Sequence, residues 1–457
     1  MKKAYFFLLP VSLFISTIIS AQSGYINTIA GNGIAGFAGD GQPATNAKID
    51  TMGFTAVDDS GNVYIADAQN NRIRKVYAKT GIMATIAGTG TPGWTGDYGL
   101  AVNAEIYYPF GICVDKNYNV YFTDNGNGIV RKIVQATGTI YTIAGTGNGG
   151  NTGNGGKADT ATFDDPTGIT VDAAGNVYVA DDIGSCVRKI NASDSVINLY
   201  AGNNIHGYNG DGGQATAAEL NNPLGIAMDK SGNLYIVEWK EFTVRKVDAS
   251  GVINEFAGIP GNNNYTTASG PNATTIPLGE PTGVCADKYG NVYIADPGNG
   301  IVRQINGTNG YDYVTAGSAD IGFSGDGGPA VDAELNYPFT VSVDTNFNIY
   351  IGDLLNFRIR KENGGPTAVP EVSANGNFAI YPNPASSSLN IRFSGTYSNG
   401  NNTIEIEDIT GRTVSTYEKN VKPNSTFNAD ISGMANGMYF IKISNATSYS
   451  VLKFIKE

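Results

Sequence analysis

Short runs of β-branched and aromatic residues, each followed by turn residues, fill the chain from about residue 25 to residue 362. No apolar period of 3.6 residues runs through them, so long helices are not expected. A representative stretch has four such runs: GICVD from Gly111, NVYFTD from Asn119, IVRKI from Ile129 and TIYTIAG from Thr139. The pattern predicts a unit of four short strands joined by tight turns.

This unit recurs six times. The Asn that opens its second strand advances in steps of 57, 57, 57, 58 and 57 residues. A four-stranded unit in six copies predicts an all-β fold, a six-bladed β-propeller. A linear solenoid is the alternative, and it needs a polar capping repeat at each end. The recurring segments, such as GNVYIADAQNNRIRKV, begin at Gly61, Tyr118, Gly175, Gly232, Gly290 and Phe347.

The two ends of the repeat region are complementary. The sixth unit stops after RIRKE at Glu362 without a fourth strand, whereas an isolated fourth strand, YINTIAG from Tyr25, precedes the first unit. Docking that strand onto the last blade would close the ring and leave no exposed strand edge. We therefore expect residues 24–362 to form one closed propeller.

Three sets of residues recur once per unit. An Asp ends each first strand and is typical of a hairpin turn. A second acidic set follows the second strand, and an Arg set lies in the third strand, which favours a carboxylate–guanidinium pair inside each blade over a cation-binding acidic mouth. The three sets are Asp58, Asp115, Asp172, Asp229, Asp287 and Asp344; Asp67, Asp124, Asp181, Glu238, Asp296 and Asp353; and Arg74, Arg131, Arg188, Arg245, Arg303 and Arg360.

The connection from each fourth strand to the next blade is long and has its own consensus, as in GFSGDGGPAVDAEL from Gly322. Its Ala-x-x-Ala ending predicts one helical turn packed between blades. Its Asp, as at Asp40, is a weak candidate for Ca²⁺ because one carboxylate per loop is too few. An aromatic residue occupies one loop position, where it either packs between blades or offers a stacking surface. These aromatics are Phe37, Trp94, Tyr208 and Phe323.

The fourth unit departs from the repeat, with EWKEF where other copies carry Gly and Asn. Strand polarity places this connection on the same face as the long loops. A mixture of aromatic and charged groups is typical of recognition surfaces. We therefore predict a ligand-binding face that includes Trp94, Tyr208, Glu238, Trp239, Lys240 and Phe242.

Composition excludes several functions. The chain has 457 residues, 60 of them Gly, and a net charge of −12, which disfavours nucleic acid. Its single histidine, His206, cannot form a multi-histidine metal site and reads as an ordinary loop residue. Cys113, Cys186 and Cys285 lack CxxC spacing and are interpreted as small packing residues. G-x-G-x-x-G occurs three times but opens no helix, so a dinucleotide site is not predicted. We predict no catalytic residues, cofactor or metal.

The chain begins like an exported protein. Lys2 and Lys3 precede an apolar run from Ala4 to Ile19, and small residues follow it. This order is typical of a signal peptide over residues 1–21, and the run is short for a membrane anchor. The mature chain is then expected to have no transmembrane segment.

The motifs GNVYIAD, NRIRKV and the GDGGPA-like loops resemble bacterial NHL-repeat β-propellers over about residues 24 to 362. That resemblance implies a binding platform. Related six-bladed folds include lactonases, lyases and amidating enzymes with metal or acid groups at the axis. This sequence lacks the histidines that the metal-dependent enzymes use.

After Glu362 the repeat ends, and residues 363–376 read as a linker. Alternating strands over 377–457 predict a small antiparallel β-sandwich. YPNPASSSLNI from Tyr381, DITGRTV from Asp408, NGMYFIKI from Asn436 and the final LKFIKE resemble the type A sorting domain of the type IX secretion system. The resemblance implies a Bacteroidetes-type cell and the secretion machinery as partner. It also implies a protein that is released or attached at the outer-membrane surface.

Together these observations predict an exported, non-catalytic binding scaffold for an extracellular protein or glycan. The alternative is a hydrolase or lyase that uses carboxylates at the axis, with Glu238 as the first candidate because it replaces Asp in its set.

Overall fold

The computed structural model describes residues 24–364 and, further on, residues 378–381, 385, 387–393, 400–408, 412–422, 425–444 and 449–456. The predicted signal peptide lies outside the described residues, as does the predicted linker from residue 365 onward.

Six antiparallel sheets of four strands follow one another along residues 26–362. The first strand, β1, spans Ile26–Ala30 and stands ahead of blade 1. Blade 1 contains β2 (Met52–Val57), β3 (Val63–Asp67), β4 (Arg72–Tyr77) and β5 (Ile82–Ala87). Blade 2 contains β6 (Pro109–Val114), β7 (Val120–Asp124), β8 (Ile129–Val134) and β9 (Thr139–Ala144). Blade 3 contains β10 (Pro166–Val171), β11 (Val177–Asp181), β12 (Cys186–Ile190) and β13 (Ile197–Ala201).

The remaining blades repeat this order. Blade 4 contains β14 (Pro223–Met228), β15 (Leu234–Glu238), β16 (Thr243–Val247) and β17 (Ile253–Gly258). Blade 5 contains β18 (Val284–Ala286), β19 (Val292–Asp296), β20 (Ile301–Ile305) and β21 (Asp312–Ala316). Blade 6 contains β22 (Pro338–Val343), β23 (Ile349–Asp353) and β24 (Arg358–Glu362). The six-bladed propeller predicted from the repeat is confirmed.

Strand β1 completes blade 6. It pairs with β24 in antiparallel register, Ile26 opposite Glu362 and Ala30 opposite Ile359, and the sheet order is β1-β24-β23-β22. The predicted closure is confirmed: the outer strand of the last blade comes from the other end of the repeat region. Pairing of residues so distant in sequence removes the open edge that β24 would otherwise present.

The propeller core lies between neighbouring blades. The second strand of every blade is buried along its whole length, as in β3 and β23. One cluster joins Ile65 of blade 1 to Tyr350 of blade 6, together with Ala44 and Ala47 from the loop before blade 1. These two alanines flank a single 3-10 turn, which confirms the helical turn predicted from Ala-x-x-Ala. Equivalent turns are Ala44–Asn46, Ala101–Asn103, Ala158–Thr160, Ala215–Ala217, Ala273–Thr275 and Ala330–Asp332.

The two faces of the propeller are built differently. The long loops, the starts of the first strands and the second-to-third connections lie at one end of every blade, because Pro223, Glu238 and Thr243 stand side by side across blade 4. We call this end the long-loop face and the other the hairpin face. Further 3-10 turns on the long-loop face are Ala68–Asn70, Asn125–Asn127, Pro297–Asn299 and Leu354–Asn356.

The described residues of the C-terminal part form two antiparallel sheets, one of three strands and one of four. One apolar cluster contains Leu389 and Ile391 from the first sheet and Ile404 and Ile441 from the second. The predicted small β-sandwich is therefore confirmed. Its strands are β25 (Phe378–Tyr381), β26 (Ser388–Phe393), β27 (Gly400–Asp408), β28 (Thr413–Val421), β29 (Thr426–Asp430), β30 (Gly437–Ser444) and β31 (Tyr449–Lys456).

Candidate functional site

The Asp at the end of each first strand holds a hairpin together, as predicted. In blade 2, one oxygen of Asp115 accepts hydrogen bonds from the backbone N–H groups of Asn117 and Asn119, at 2.8 and 2.9 Å. Its other oxygen accepts from the Asn119 amide and from the Tyr121 hydroxyl, at 2.8 and 3.2 Å. All lone-pair directions of the carboxylate are thereby used inside the turn. The first acidic set is structural.

The second acidic set pairs with the Arg set in five blades. In blade 1 the guanidinium of Arg74 lies 3.1 Å from Asp67, and both side chains are fully buried. The Asp of the long loop forms a second pair, since Asp40 lies 2.6 Å from Arg74. Burial still dominates the titration of Asp67 and raises its pKa to about 6, while Arg74 opposes that rise. The loop Asp therefore anchors the loop, and the predicted pairing is confirmed here. The other pairs are Asp124–Arg131, Glu238–Arg245, Asp296–Arg303 and Asp353–Arg360.

Blade 3 is the exception. Asn154 stands where other long loops carry Asp, and its side-chain oxygen accepts a hydrogen bond from Arg188 at 3.1 Å. The other contacts of Arg188 are the carbonyl oxygens of Thr162 and Thr152, both at 2.7 Å. Among the described residues no carboxylate forms an ion pair with this buried guanidinium, and burial lowers its pKa. The expectation of one dedicated pair per blade is wrong for blade 3.

Most of the loop aromatics stack against arginine side chains. Phe37 lies beneath the guanidinium of Arg72 at 3.8 Å, and Tyr208 beneath Arg245 at 4.8 Å. These cation–π contacts support the packing interpretation. Trp94 differs, since among the described residues it has no such cation–π contact: its ring lies against Gly147 in the next loop and is 47% exposed, close to the 42% of Phe37. Trp94 therefore offers a free aromatic face at the outer part of the long-loop face.

Two of the three cysteines, Cys113 and Cys285, stand in first strands and pack between blades. Neighbouring inner strands approach most closely two residues earlier, where a Cβ on Gly111 would overlap the backbone of Thr167. Burial raises the pKa of all three thiols, that of Cys186 to about 12. The cysteines are therefore protonated packing residues. His206 is exposed, and its Nδ1 lies 3.0 Å from the Ser185 hydroxyl.

The irregular residues of blade 4 divide into a buried and an exposed group. Glu238 is fully buried, 3.7 Å from Arg245, and burial raises its pKa to about 8. Lys240 is exposed, with its ammonium 3.5 Å from the ring centre of Trp239. Trp239 and Phe242 are half-buried. Trp239 and Lys240 can meet a ligand directly, whereas Glu238 supports them from below.

Trp239 belongs to an aromatic cluster that sequence reasoning missed. Phe54, Phe110 and Phe339 lie 5.4 to 5.7 Å apart, centre to centre, and Leu224 and Trp239 pack against them. These residues come from blades 1, 2, 6 and 4, so the cluster must span the propeller axis. We call it the axial floor.

A ring of polar and aromatic residues surrounds the axial floor, one from the start of each blade. Tyr108 stacks on Phe110 and Tyr337 on Phe339, both at 6.4 Å. Five members have a positive φ without being glycine, for example 51° at Tyr108 and 62° at Glu280. Strain of this kind concentrates at functional sites. The members of this ring, the axial rim, are Thr51, Tyr108, Asp165, Asn222, Glu280 and Tyr337.

Carboxylate side chains belong to the axial rim or contact it, and they give this part of the long-loop face an acidic character. Asn222 donates a hydrogen bond to Asp182 at 2.6 Å, and burial raises the pKa of Asp182 to about 6 while Lys240 opposes the rise. Glu280 accepts a hydrogen bond from Tyr337, whose pKa is raised first by burial and then by that carboxylate. Among the described residues no three His, Cys, Asp or Glu side chains form a metal-binding group. The axial floor and the axial rim together combine aromatic faces with hydrogen-bonding groups.

Two family models match the chain: the secretion system C-terminal sorting domain over residues 379–457 and the teneurin NHL domain over residues 206–272. The residues of the second match lie within the six-bladed propeller. Residues 379–457 therefore form a secretion sorting domain, and the six-bladed propeller ahead of them is similar to NHL-repeat propellers. The sorting domain indicates type IX secretion to the cell surface or beyond, and it implies an interaction with the secretion machinery.

The curated proteins that resemble this chain in sequence are longer than it. Human teneurin-1 is 26% identical over 383 residues, which cover 75% of this chain and 13% of teneurin-1. Human NHL repeat-containing protein 2 is 26% identical over 275 residues, which cover 53% of this chain and 37% of that protein. This chain therefore spans well under half the length of either relative.

Solved structures share the fold. A protein of unknown function from Bacteroides thetaiotaomicron has a TM-score of 0.56 at 19% identity, covering 75% of this chain and 76% of that one. An auxiliary nutrient binding protein from Bacteroides ovatus has a TM-score of 0.55 at 14% identity, with the same coverage. Among the described residues of this chain, no helix has the length and apolar character needed to cross a membrane.

A sequence signal for the axial rim does exist. Five of the six first strands are preceded by a polar or aromatic residue and then Pro, as in YYPF from Tyr107 and NYPF from Asn336. The repeated tyrosine–proline–phenylalanine order marks Tyr108 and Tyr337 as neighbours on the axis. These Tyr-Pro-Phe segments are inconspicuous in the sequence because they stand at the ends of the long loops.

Proposed function

We propose that this exported propeller is a binding module whose ligand sits in the axial mouth, the site formed by the axial floor and the axial rim. The observation that carries the proposal is the aromatic floor enclosed by polar groups at strained positions. Ligand sites are concave and combine apolar walls with a few polar groups that fix orientation. Trp239 and Lys240 extend the site toward blade 4, and Trp94 extends the long-loop face outward.

The chemistry favours a glycan among extracellular ligands. Aromatic rings such as Phe110 and Trp239 offer flat apolar faces for the carbon faces of sugar rings. Asp182, Asn222 and Glu280 offer carboxylate and amide groups that hydrogen-bond to hydroxyls. Rim carboxylates outnumber the nearby Lys240, so a polyanionic ligand would be repelled. The fold shared with an auxiliary nutrient binding protein also supports a binding role. A protein ligand would appear as binding on the peptide half of the array described next.

A glycan and peptide array probed with the full chain tests the proposal. We expect saturable binding to one glycan class and loss of that binding in Trp239→Ala. Circular dichroism should show the same β-sheet spectrum for the variant, because Trp239 is half-buried at the surface of the cluster. Binding that survives Trp239→Ala unchanged would contradict the axial mouth as the site.

The second candidate is a hydrolase or lyase. It is favoured by Glu238, whose pKa of about 8 would keep it protonated at neutral pH, as a general acid requires. Against it, Glu238 is fully buried and paired with Arg245. Turnover of a lactone or glycoside by the wild type that Glu238→Gln abolishes, or a stoichiometric metal at the axis, would favour the enzyme.

A further inference from the structure

A cavity lies on the hairpin face between blades 2 and 3, at the opposite end of the blades from the axial mouth. Its volume is about 490 Å³. Val114, Ile143, Val171 and Ile190 give it apolar walls, and the charged residues that line it are Lys116, Lys132, Asp115 and Asp172. A cavity of a few hundred Å³ with apolar walls and a few polar groups is typical of a small-molecule site.

The junction between blades 5 and 6 shows how the same place is filled elsewhere in this chain. There Lys288 reaches across and donates a hydrogen bond to the Thr345 carbonyl at 3.2 Å. Beneath it, Tyr289 and Phe347 stack face to face, with ring centres 5.1 Å apart and planes 8° apart. The Lys288 ammonium lies 4.5 Å from the Phe347 ring centre. Two stacked aromatic rings thus occupy this junction under a lysine, with Phe347 buried and Tyr289 exposed on the outer side.

Blades 2 and 3 repeat the lysine contact but lack the rings. Lys116 donates a hydrogen bond to the Ala173 carbonyl at 3.3 Å, the counterpart of Lys288 and Thr345. Asn117 and Gly175 occupy the repeat positions of Tyr289 and Phe347. Both residues line the cavity. The open volume therefore lies where the other junction carries its aromatic pair.

The charged groups around the cavity are unequally engaged. Asp115 spends four hydrogen bonds inside its own turn, and Asp172 does the same with Ala174, Asn176 and Tyr178. The ammonium of Lys132 lies 4.9 Å from the Tyr121 ring centre.

In blade 1 the equivalent lysine, Lys75, is buried and donates to the Tyr64 hydroxyl at 2.7 Å. Lys132 is only half-buried, and Lys116 is exposed with one of its three donors engaged. Of the charged groups that line the cavity, the two lysines therefore keep uncommitted donors, whereas the two carboxylates are engaged in their own turns.

We propose that this cavity binds a small aromatic carboxylate. Its ring would take the place that Tyr289 and Phe347 hold at the other junction, and its carboxylate would accept hydrogen bonds from Lys116 and Lys132. The apolar walls supply the burial of the ring, and the two ammonium groups select an anion over a neutral analogue.

Calorimetric titration of the full chain with phenylacetate and with 4-hydroxybenzoate tests the proposal, and benzyl alcohol serves as the neutral control. We expect saturable binding of at least one acid, weakened about tenfold or more in Lys132→Met because a charge-assisted hydrogen bond is lost. Benzyl alcohol should bind the wild type and Lys132→Met alike. Absence of saturable binding of both acids at millimolar concentration overturns the proposal.

The double variant Asn117→Tyr with Gly175→Phe provides the matched test of location, because it installs the aromatic pair of blades 5 and 6. Gly175 has a φ of 88°, and Phe347 adopts 64° at the same repeat position. A Cβ on Gly175 would lie 3.6 Å from the Ala192 Cβ, an ordinary contact. The variant should melt no lower than the wild type and should lose acid binding. Acid binding that persists in the folded variant places the ligand elsewhere and overturns the proposal.

Discussion

Glu362 gives the sharpest test of how the ring is closed. It stands on β24 at a position that is Val or Ile in the other five blades. It is 2% exposed and accepts hydrogen bonds from the Gly24 N–H at 2.7 Å and from the Thr315 hydroxyl at 3.1 Å. Burial raises its pKa from 4.5 to about 7, against the effect of those hydrogen bonds. The closing strand is thus anchored on a carboxylate that resists ionisation.

The raised pKa fixes the sign of the pH effect. Between pH 4.5 and about 7 the folded chain holds a proton on Glu362 that the unfolded chain has released, so this group makes the free energy of unfolding fall as pH rises through that window. The rise in pKa corresponds to about 3 kcal/mol at most. Above the folded pKa the loss is complete.

Glu362→Gln keeps an acceptor for Gly24 and removes the buried charge. We expect the variant and the wild type to have the same free energy of unfolding at about pH 5. At about pH 8 the free energy of unfolding of the variant should be higher by about 2–3 kcal/mol. Urea denaturation of both proteins at the two pH values measures this. Because other buried carboxylates titrate identically in both proteins, the difference between the curves isolates Glu362.

A difference between Glu362→Gln and wild type that does not change with pH would refute the reasoning, since the charge would then carry no cost in the folded chain. Thr315→Val serves as the companion variant. It removes a hydroxyl donor to the carboxylate and should enlarge the pH dependence, because ionised Glu362 loses one of its compensating hydrogen bonds.

Three further predictions concern other parts of the chain. Deleting residues 24–31 should sharply lower the melting temperature, because β24 then presents an unpaired edge; an unchanged melting curve would argue against closure. Asn154→Asp should give Arg188 a carboxylate partner and raise the free energy of unfolding by about 1–2 kcal/mol in urea denaturation. A less stable variant would show that the buried Arg188 guanidinium gains nothing from a carboxylate and is satisfied by its present hydrogen bonds. Truncation after Gly376 should leave the protein in the periplasm of a host with type IX secretion, as fractionation and immunoblotting would show, and normal appearance outside the cell would contradict the role of the sorting domain.

The repeat period carried most of the fold. Because each unit supplies four strands and the ends are complementary, six blades and the docking of the strand from Tyr25 onto the last blade follow from spacing alone, whereas the register of Ile26 opposite Glu362 came from the structure. Hairpin bonding by Asp115 was predictable for the same reason, since local hydrogen bonds depend on residues four apart in sequence. Local chemistry that repeats is readable without a structure.

The candidate site was only partly predictable. Trp239 and Lys240 were found because they break the repeat, but their neighbours Phe54 and Phe339 are about 285 residues apart and meet only once the ring closes. The cavity between blades 2 and 3 arises because Asn117 and Gly175 are not aromatic. That difference becomes informative only when the stacked rings at the junction of blades 5 and 6 are seen in the structure. Contacts between distant units require the geometry.

The central claim is that the axial mouth binds the ligand, and calorimetric titration of the glycan selected on the array tests it most directly. The wild type, Tyr108→Ala, Trp239→Ala and, as the outer-loop comparison, Trp94→Ala would each be titrated. We expect at least about tenfold weaker binding for Tyr108→Ala and Trp239→Ala, the loss expected when an aromatic anchor is removed, and a smaller effect for Trp94→Ala. Equal affinity of wild type, Tyr108→Ala and Trp239→Ala, all folded, would contradict it.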